Sequence, residues 1–174
     1  MRACRNPQEA FALFDALADV DIAFMTGAWE GQEFPTGHPA DGALQAYGWR
    51  GKRIDDAERV HPLVFASGGR TFAPRARWLG AGVPLLLRWP WLKSPAAARV
   101  LRHALPLIAT RRSQARLRML HFRGRLTAAM VYDELPILDV FRAADRDTVL
   151  GVMDLKGMDP PFFFLLRRLP PQGG

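Results

Sequence analysis

The sequence predicts a mainly β protein: a single antiparallel β-barrel with an N-terminal helix and a helical insert. Three observations carry this. First, residues 114–156 read as four alternating apolar runs joined by Arg123-Gly124, Leu135-Pro136 and residues 144–147. Joints that short connect antiparallel neighbours, which makes a meander. Second, 174 residues with 49% hydrophobic content, 11 Phe and 5 Trp suit one well-buried core rather than two. Third, Gly27, Trp29 and Gly31 recur at two-residue spacing, which puts all three on one face of a strand.

The elements follow in order. Asn6, Pro7 and Glu9 form a helix start, and Ala10, Leu13, Phe14 and Leu17 share one apolar face. Residues 22–34 read as the opening strand, broken by Pro35, Gly37 and Pro39. A short helix is expected over 41–47, then strands over 49–54, 60–66 and 71–73 around a Ser67-Gly68-Gly69 turn. Residues 78–92 mix Trp, Gly and Pro without a clear period. Ser94 and Pro95 then start a helix that Pro106 ends. The final FFFLLRRL is expected to be a short terminal helix or apron. At least seven strands around one core favour closure, which removes the sheet edges. A barrel of about eight to ten strands has room for a small ligand.

Composition excludes more than it selects. The net charge of +7 is carried almost wholly by Arg, since Lys occurs only at positions 52, 93 and 156. Coding bias accounts for such a balance, and no basic patch interleaved with aromatics marks a nucleic-acid module. Cys4 is the single cysteine, which fits a reducing, cytoplasmic setting. The N-terminus lacks the apolar core of a secretory signal, and residues 83–92 are too short and interrupted to span a bilayer. Trp89, Trp91 and nearby arginines allow contact with a membrane surface; a lid or exterior helix packed on the sheet is the preferred reading of that segment.

The stretch Met25-Thr26-Gly27-Ala28-Trp29-Glu30-Gly31 resembles the signature of the small bacterial GXWXG family. Residues 132–157, from Tyr132-Asp133-Glu134-Leu135-Pro136 through Asp139-Val140-Phe141 to the run ending at Gly157, resemble the domain of unknown function DUF4334. These divide one domain, 1–174, into a GXWXG-like part over about 8–75, an unmatched insert over about 78–112 and a DUF4334-like meander over about 114–169. The Gly-x-Trp element also resembles the first strand of calycins, the lipocalin and nitrobindin barrels. That resemblance implies a calycin-like barrel whose tryptophan closes one end. Trp29 is read first as that plug and second as a ligand contact.

No P-loop, GxSxG, HExxH or dinucleotide fingerprint is present, and the four histidines show no paired metal spacing. The carboxylates carry more. Asp133, Asp139 and Asp154 fall in or beside predicted strands, where aspartate is depleted. Asp139 shares a face with Ile137 and Phe141, Asp154 one with Leu150 and Val152, and Tyr132 points away from Asp133. An acid among apolar neighbours is paired with arginine or has a raised pKa. Salt bridges to Arg116, Arg118 or Arg142 on the sheet exterior are the plain alternative.

The candidate catalytic residues are therefore Asp133, Asp139, Asp154 and His61. The candidate ligand contacts are Trp29, Trp49, Tyr132, His121, Phe141 and Met153. No cofactor and no metal is expected. The loose association of the family with epoxide chemistry implies an acid/base lyase or isomerase acting on a small terpenoid- or epoxide-like molecule in the lumen. The alternative is a non-catalytic carrier or sensor of a lipid- or haem-like ligand, with His121 or His61 as the haem contact. A small hydrophobic partner is expected, a homodimer is possible, and nucleic acid is not expected.

Overall fold

The computed structural model describes residues 6–170. Helix α1, Pro7–Ala16, begins as its sequence requires: the Asn6 side chain accepts the Glu9 amide at 2.9 Å. Strand β1, Ala18–Asp19, follows. The expected opening strand is shorter than predicted. Its first residues form a helical turn, α2 (Ile22–Met25), because Asp21 caps it by accepting the Phe24 amide. Strand β2 is Gly27–Glu33, helix α3 is Ala43–Ala46, and strands β3, β4 and β5 are Trp49–Ile54, Val60–Ser67 and Arg70–Pro74.

The aperiodic stretch is helical: α4 spans Ala76–Arg88 despite Pro84 in its middle. A 3₁₀ turn, Pro90–Lys93, leads to α5, Pro95–Ala104, capped by Ser94 as expected. A second 3₁₀ turn (Leu105–Ile108) and β6, Ala109–Thr110, close the insert. The meander is β7 (Ala115–Phe122), β8 (Arg125–Tyr132), β9 (Ile137–Ala143) and β10 (Thr148–Leu155). The tail is a correction: residues 162–168 form a strand, β11 (Phe162–Arg168), and not a helix or apron. Phe162 and Phe164 face the lumen while Phe163 faces the outside, so both faces are buried and the run is continuously apolar.

Eight strands close the barrel in the order β3-β2-β11-β10-β9-β8-β7-β4, with β3 pairing back to β4. All pairs are antiparallel. The β4–β7 seam is thin, with Val60 opposite Ala115 as its single register pair. Ser113 reinforces it: its hydroxyl accepts the Val60 amide at 3.0 Å. Two cores result. The lumen holds Trp29, Trp49, Phe65, Leu117, Met130, Phe141 and Phe164. The second core lies outside the wall, where Ala10 and Phe14 of α1 cover Ala129, Val140, Leu150, Val152 and Phe163.

The GxWxG element sits in the lumen wall. Trp29 is buried, and its Nε1 donates to the Met25 carbonyl at 2.8 Å. The Arg168 guanidinium lies over its ring, 4.2 Å from the centroid. Gly31 has a definite task, because the Trp49 ring occupies the space a Cβ would need. The motif is thus a packing device in which one glycine makes room for a second tryptophan from the next strand.

Candidate functional site in the barrel interior

Among the buried polar side chains of the described residues, one group gathers on the lumen side near the β8–β9 turn. Three side chains from three strands meet there: Lys52 of β3, Tyr132 of β8 and Asp139 of β9. All three are buried, with Lys52 3% and Asp139 0% exposed. The strand periods explain the meeting. Asp139 alternates inward with Ile137 and Phe141, and its direct cross-strand neighbour is Met130, two residues from Tyr132 on β8. Lys52 turns inward on a strand whose register shifts twice, between Trp49 and Gly51 and between Gly51 and Arg53.

Lys52 Nζ donates to Asp139 Oδ2 at 2.6 Å and to the Pro62 carbonyl at 3.0 Å, with the Tyr132 hydroxyl at 3.5 Å. The Tyr132 hydroxyl donates to the same Asp139 oxygen at 3.1 Å. Burial, followed by the Asp139 charge, pushes the Tyr132 phenol well above its usual range, so it holds its proton at neutral pH. The aromatic faces of Phe164, Tyr132 and Trp49 surround the ammonium at 4.8, 5.8 and 5.9 Å from their centroids.

Two polar atoms of this cluster have no protein partner: Asp139 Oδ1, an acceptor, and Trp49 Nε1, a donor. Buried polar atoms are rarely left unsatisfied without a reason. Here an amine, a phenol and a free acceptor meet, with the Trp49 ring centroid 5.9 Å from Lys52 Nζ. Helix α4 covers this end: Gly80 packs so close to Leu135 that a Cβ there would displace the leucine side chain, and Leu79 packs against the lumen core.

Of the residues singled out from sequence, the structure brings Asp139, Tyr132 and Trp49 together and places Trp29, Phe141 and the partly buried Met153 on the same lumen core. The others are corrections. Asp133 is exposed and pairs with Arg116 at 3.4 Å. Asp154 is exposed on the outer face; its expected face-mates Leu150 and Val152 are apolar because α1 covers them, and they do not line the lumen. His121 is exposed. His61 is buried, yet it lies on the outer face of β4 opposite Arg53. It lines a cleft of about 530 Å³ with Arg53, Thr71, Phe72 and Arg111.

Burial and then the Arg53 charge hold the His61 imidazole below its usual pKa, against the opposing pull of Asp55, whose Oδ2 is 3.8 Å from Nε2. Folded protein therefore takes up this proton at lower pH than unfolded chain does. The stability this contributes is complete above about pH 6.5 and is lost as pH falls from there toward the folded value. His61→Gln should flatten the decline in urea midpoint between about pH 7 and pH 5. An unchanged slope would show that other groups carry it.

Lys52 is the residue that the sequence reading missed. A signal existed: in a chain that uses Arg for its surface charge, one of three lysines stands inside a strand, at WRGKRI.

Comparison with known proteins decides the family. The GXWXG protein model matches residues 12–69, and the model of the domain of unknown function DUF4334 matches residues 113–168. A crystal structure of a protein from Thermomonospora curvata is 30% identical, with a TM-score of 0.68, over 94% of this chain and 87% of that one. The chain belongs to the GXWXG/DUF4334 family. No curated protein matches it. In this GXWXG/DUF4334 barrel, the GXWXG part contributes Lys52 and the DUF4334 part contributes Tyr132 and Asp139. The insert that carries α4 and α5 lies between the two matched segments.

Proposed function

We propose that the barrel interior is an acid/base site, a lyase or isomerase that works on a small, largely apolar molecule carrying one oxygen function, such as an epoxide. The observation that carries this is the buried Lys52–Asp139–Tyr132 cluster with Asp139 Oδ1 unpartnered. A carboxylate with one oxygen held by the Lys52 amine and the Tyr132 hydroxyl has the other left to accept a proton. The Lys52 Nζ and the Tyr132 phenol are the donors available to an oxygen that gains charge, and the apolar side chains packed around them strengthen such contacts.

For an epoxide the step balances without a further reactant. Asp139 Oδ1 takes a proton from the carbon next to the ring, and a C=C bond forms. The ring C–O bond breaks, and the oxygen receives a proton from the phenol or ammonium. The proton on Asp139 then returns to that donor, and an allylic alcohol leaves. The apolar lining favours a hydrocarbon skeleton. Ala76, Leu79 and Gly80 of α4 pack over this end, so a displacement of the helix would widen the route for substrate.

Deuterium exchange tests the reading without knowledge of the product. The protein is incubated in D₂O with a panel of cyclic terpene epoxides and ketones, and mass spectrometry follows label and isomerisation. Wild type is expected to label or isomerise at least one compound, and Asp139→Asn to lose at least about a hundredfold, the usual contribution of a positioned base. Full activity in Asp139→Asn removes the mechanism. Tight binding of a panel member with neither exchange nor isomerisation would favour the carrier.

A further inference from the structure

We propose that the outer surface of the insert, residues 76–112, is a docking surface for an anionic lipid bilayer. The proposal stands on the surface alone and is independent of the chemistry assigned to the lumen.

The insert has two unlike sides. Its inner side is fastened to the barrel. The Tyr47 hydroxyl donates to the Leu92 carbonyl at 3.0 Å, the Arg102 side chain packs on Gly48, and Ala98 is buried. The outer side carries apolar residues that the fold leaves in solvent. Among the described residues, ten large hydrophobic side chains are exposed, and seven of them lie between Trp78 and Leu107. On α4 the exposed Trp78 and Leu85 stand seven residues apart, about two turns, so they share one face, and the exposed Trp89 directly follows the helix. Trp91 at 64%, Val100 at 71% and Leu107 at 86% exposure add uncovered apolar side chains in the 3₁₀ turns and α5. Soluble surfaces scatter such residues singly, and a concentration of them marks an interaction site.

Charge identifies the partner. From Arg59 to Tyr132 the chain contains no aspartate or glutamate but 14 Lys and Arg. Arg77, Arg88 and Arg99 of the insert are exposed, and the Arg77 guanidinium lies 5.3 Å from the centroid of the Trp78 ring. Tryptophan favours the headgroup level of a bilayer, aliphatic side chains enter just below it, and arginines reach anionic headgroups. A second copy of the chain would bring two acid-free surfaces face to face, which like charge opposes. Nucleic acid would use the arginines and leave Val100, Leu85 and Leu107 without a role.

The test is sedimentation of the purified full chain with sucrose-loaded vesicles, either of phosphatidylcholine alone or of equimolar phosphatidylcholine and phosphatidylglycerol. The expected result is binding at least about tenfold tighter to the anionic vesicles, weakened by salt, with a blue shift of tryptophan emission. Trp89→Ser/Trp91→Ser should lose most of the blue shift, leaving the part due to Trp78, and about tenfold in binding. Arg88→Glu/Arg99→Glu should lose the preference for phosphatidylglycerol. Arg146→Glu/Arg167→Glu, in the β9–β10 turn and on β11 away from the insert, should bind as wild type. Circular dichroism and an unchanged melting transition confirm that each variant is folded. The proposal is overturned by no sedimentation with either vesicle. It is equally overturned by anionic binding that the insert variants leave intact. Binding to duplex DNA or RNA without vesicle binding, or self-association that Trp91→Ser abolishes without vesicle binding, overturns it in favour of those partners.

Discussion

Replacing Lys52 by methionine, or Asp139 by leucine, is expected to destabilise the protein by about 3–5 kcal/mol, while the double replacement recovers most of that loss. Each single change leaves a charge buried without its counterion, in a lumen where Lys52 Nζ and Asp139 Oδ2 stand 2.6 Å apart and both side chains are almost fully covered. The double change removes both charges and substitutes apolar groups of similar size. Replacing a buried ion pair in that way is often neutral or stabilising. Urea unfolding of the four proteins in a double-mutant cycle measures the coupling. Additive losses would show that the two groups are not a buried pair. Activity supplies the second reading of the same proteins: a double variant that is stable but inert would separate the pair's role in chemistry from its role in folding.

Gly51→Ala is expected to cost about 3 kcal/mol, the upper range for one strained residue, and to loosen the barrel at its β2–β3 seam. Gly51 sits at φ +136, in a region that residues with a side chain rarely adopt, and a Cβ there would run into the Trp29 carbonyl. That carbonyl belongs to the strand paired with β3, so the backbone itself would have to move. Gly68→Ala is the control. Its φ of +57 is also positive, but nothing surrounds its Cβ position, so a loss of about 1 kcal/mol is expected. The urea midpoints of the two variants should differ clearly. Equal midpoints would place the cost in backbone conformation alone and not in the close approach to Trp29.

Much of the barrel was legible in local pattern. The meander strands, the Asn6 and Ser94 helix starts and the Gly-Trp-Gly strand all follow from period, capping chemistry and turn residues, which act within a few positions. Helix α4 was not legible, because Gly80, Gly82 and Pro84 lie within it, and residues of those types mark breaks and loops rather than helix interior. Strand β11 was misread because both its faces are buried, and a continuous apolar run does not separate strand from helix.

The site divides in the same way. Asp139 stood out as an acid among apolar neighbours, and period-two alternation placed it correctly with Ile137 and Phe141. The same rule grouped Asp154 with Leu150 and Val152. The grouping is right, but that face is the one α1 covers. Alternation states that a strand has two faces and is silent on which one is the lumen. Lys52 and Asp139 are separated by 87 positions along the chain, and their pairing depends on a bulged strand turning one lysine inward.

By itself, then, the sequence determined the meander strands and the Asn6 and Ser94 helix starts, since each is set by neighbours a few residues apart. Only the tertiary structure decided which acid lies inside, which lysine meets it and which apolar surface stays uncovered. Those outcomes depend on barrel closure and on where α1, α4 and α5 come to rest, and both are set by contacts between residues far apart in the chain.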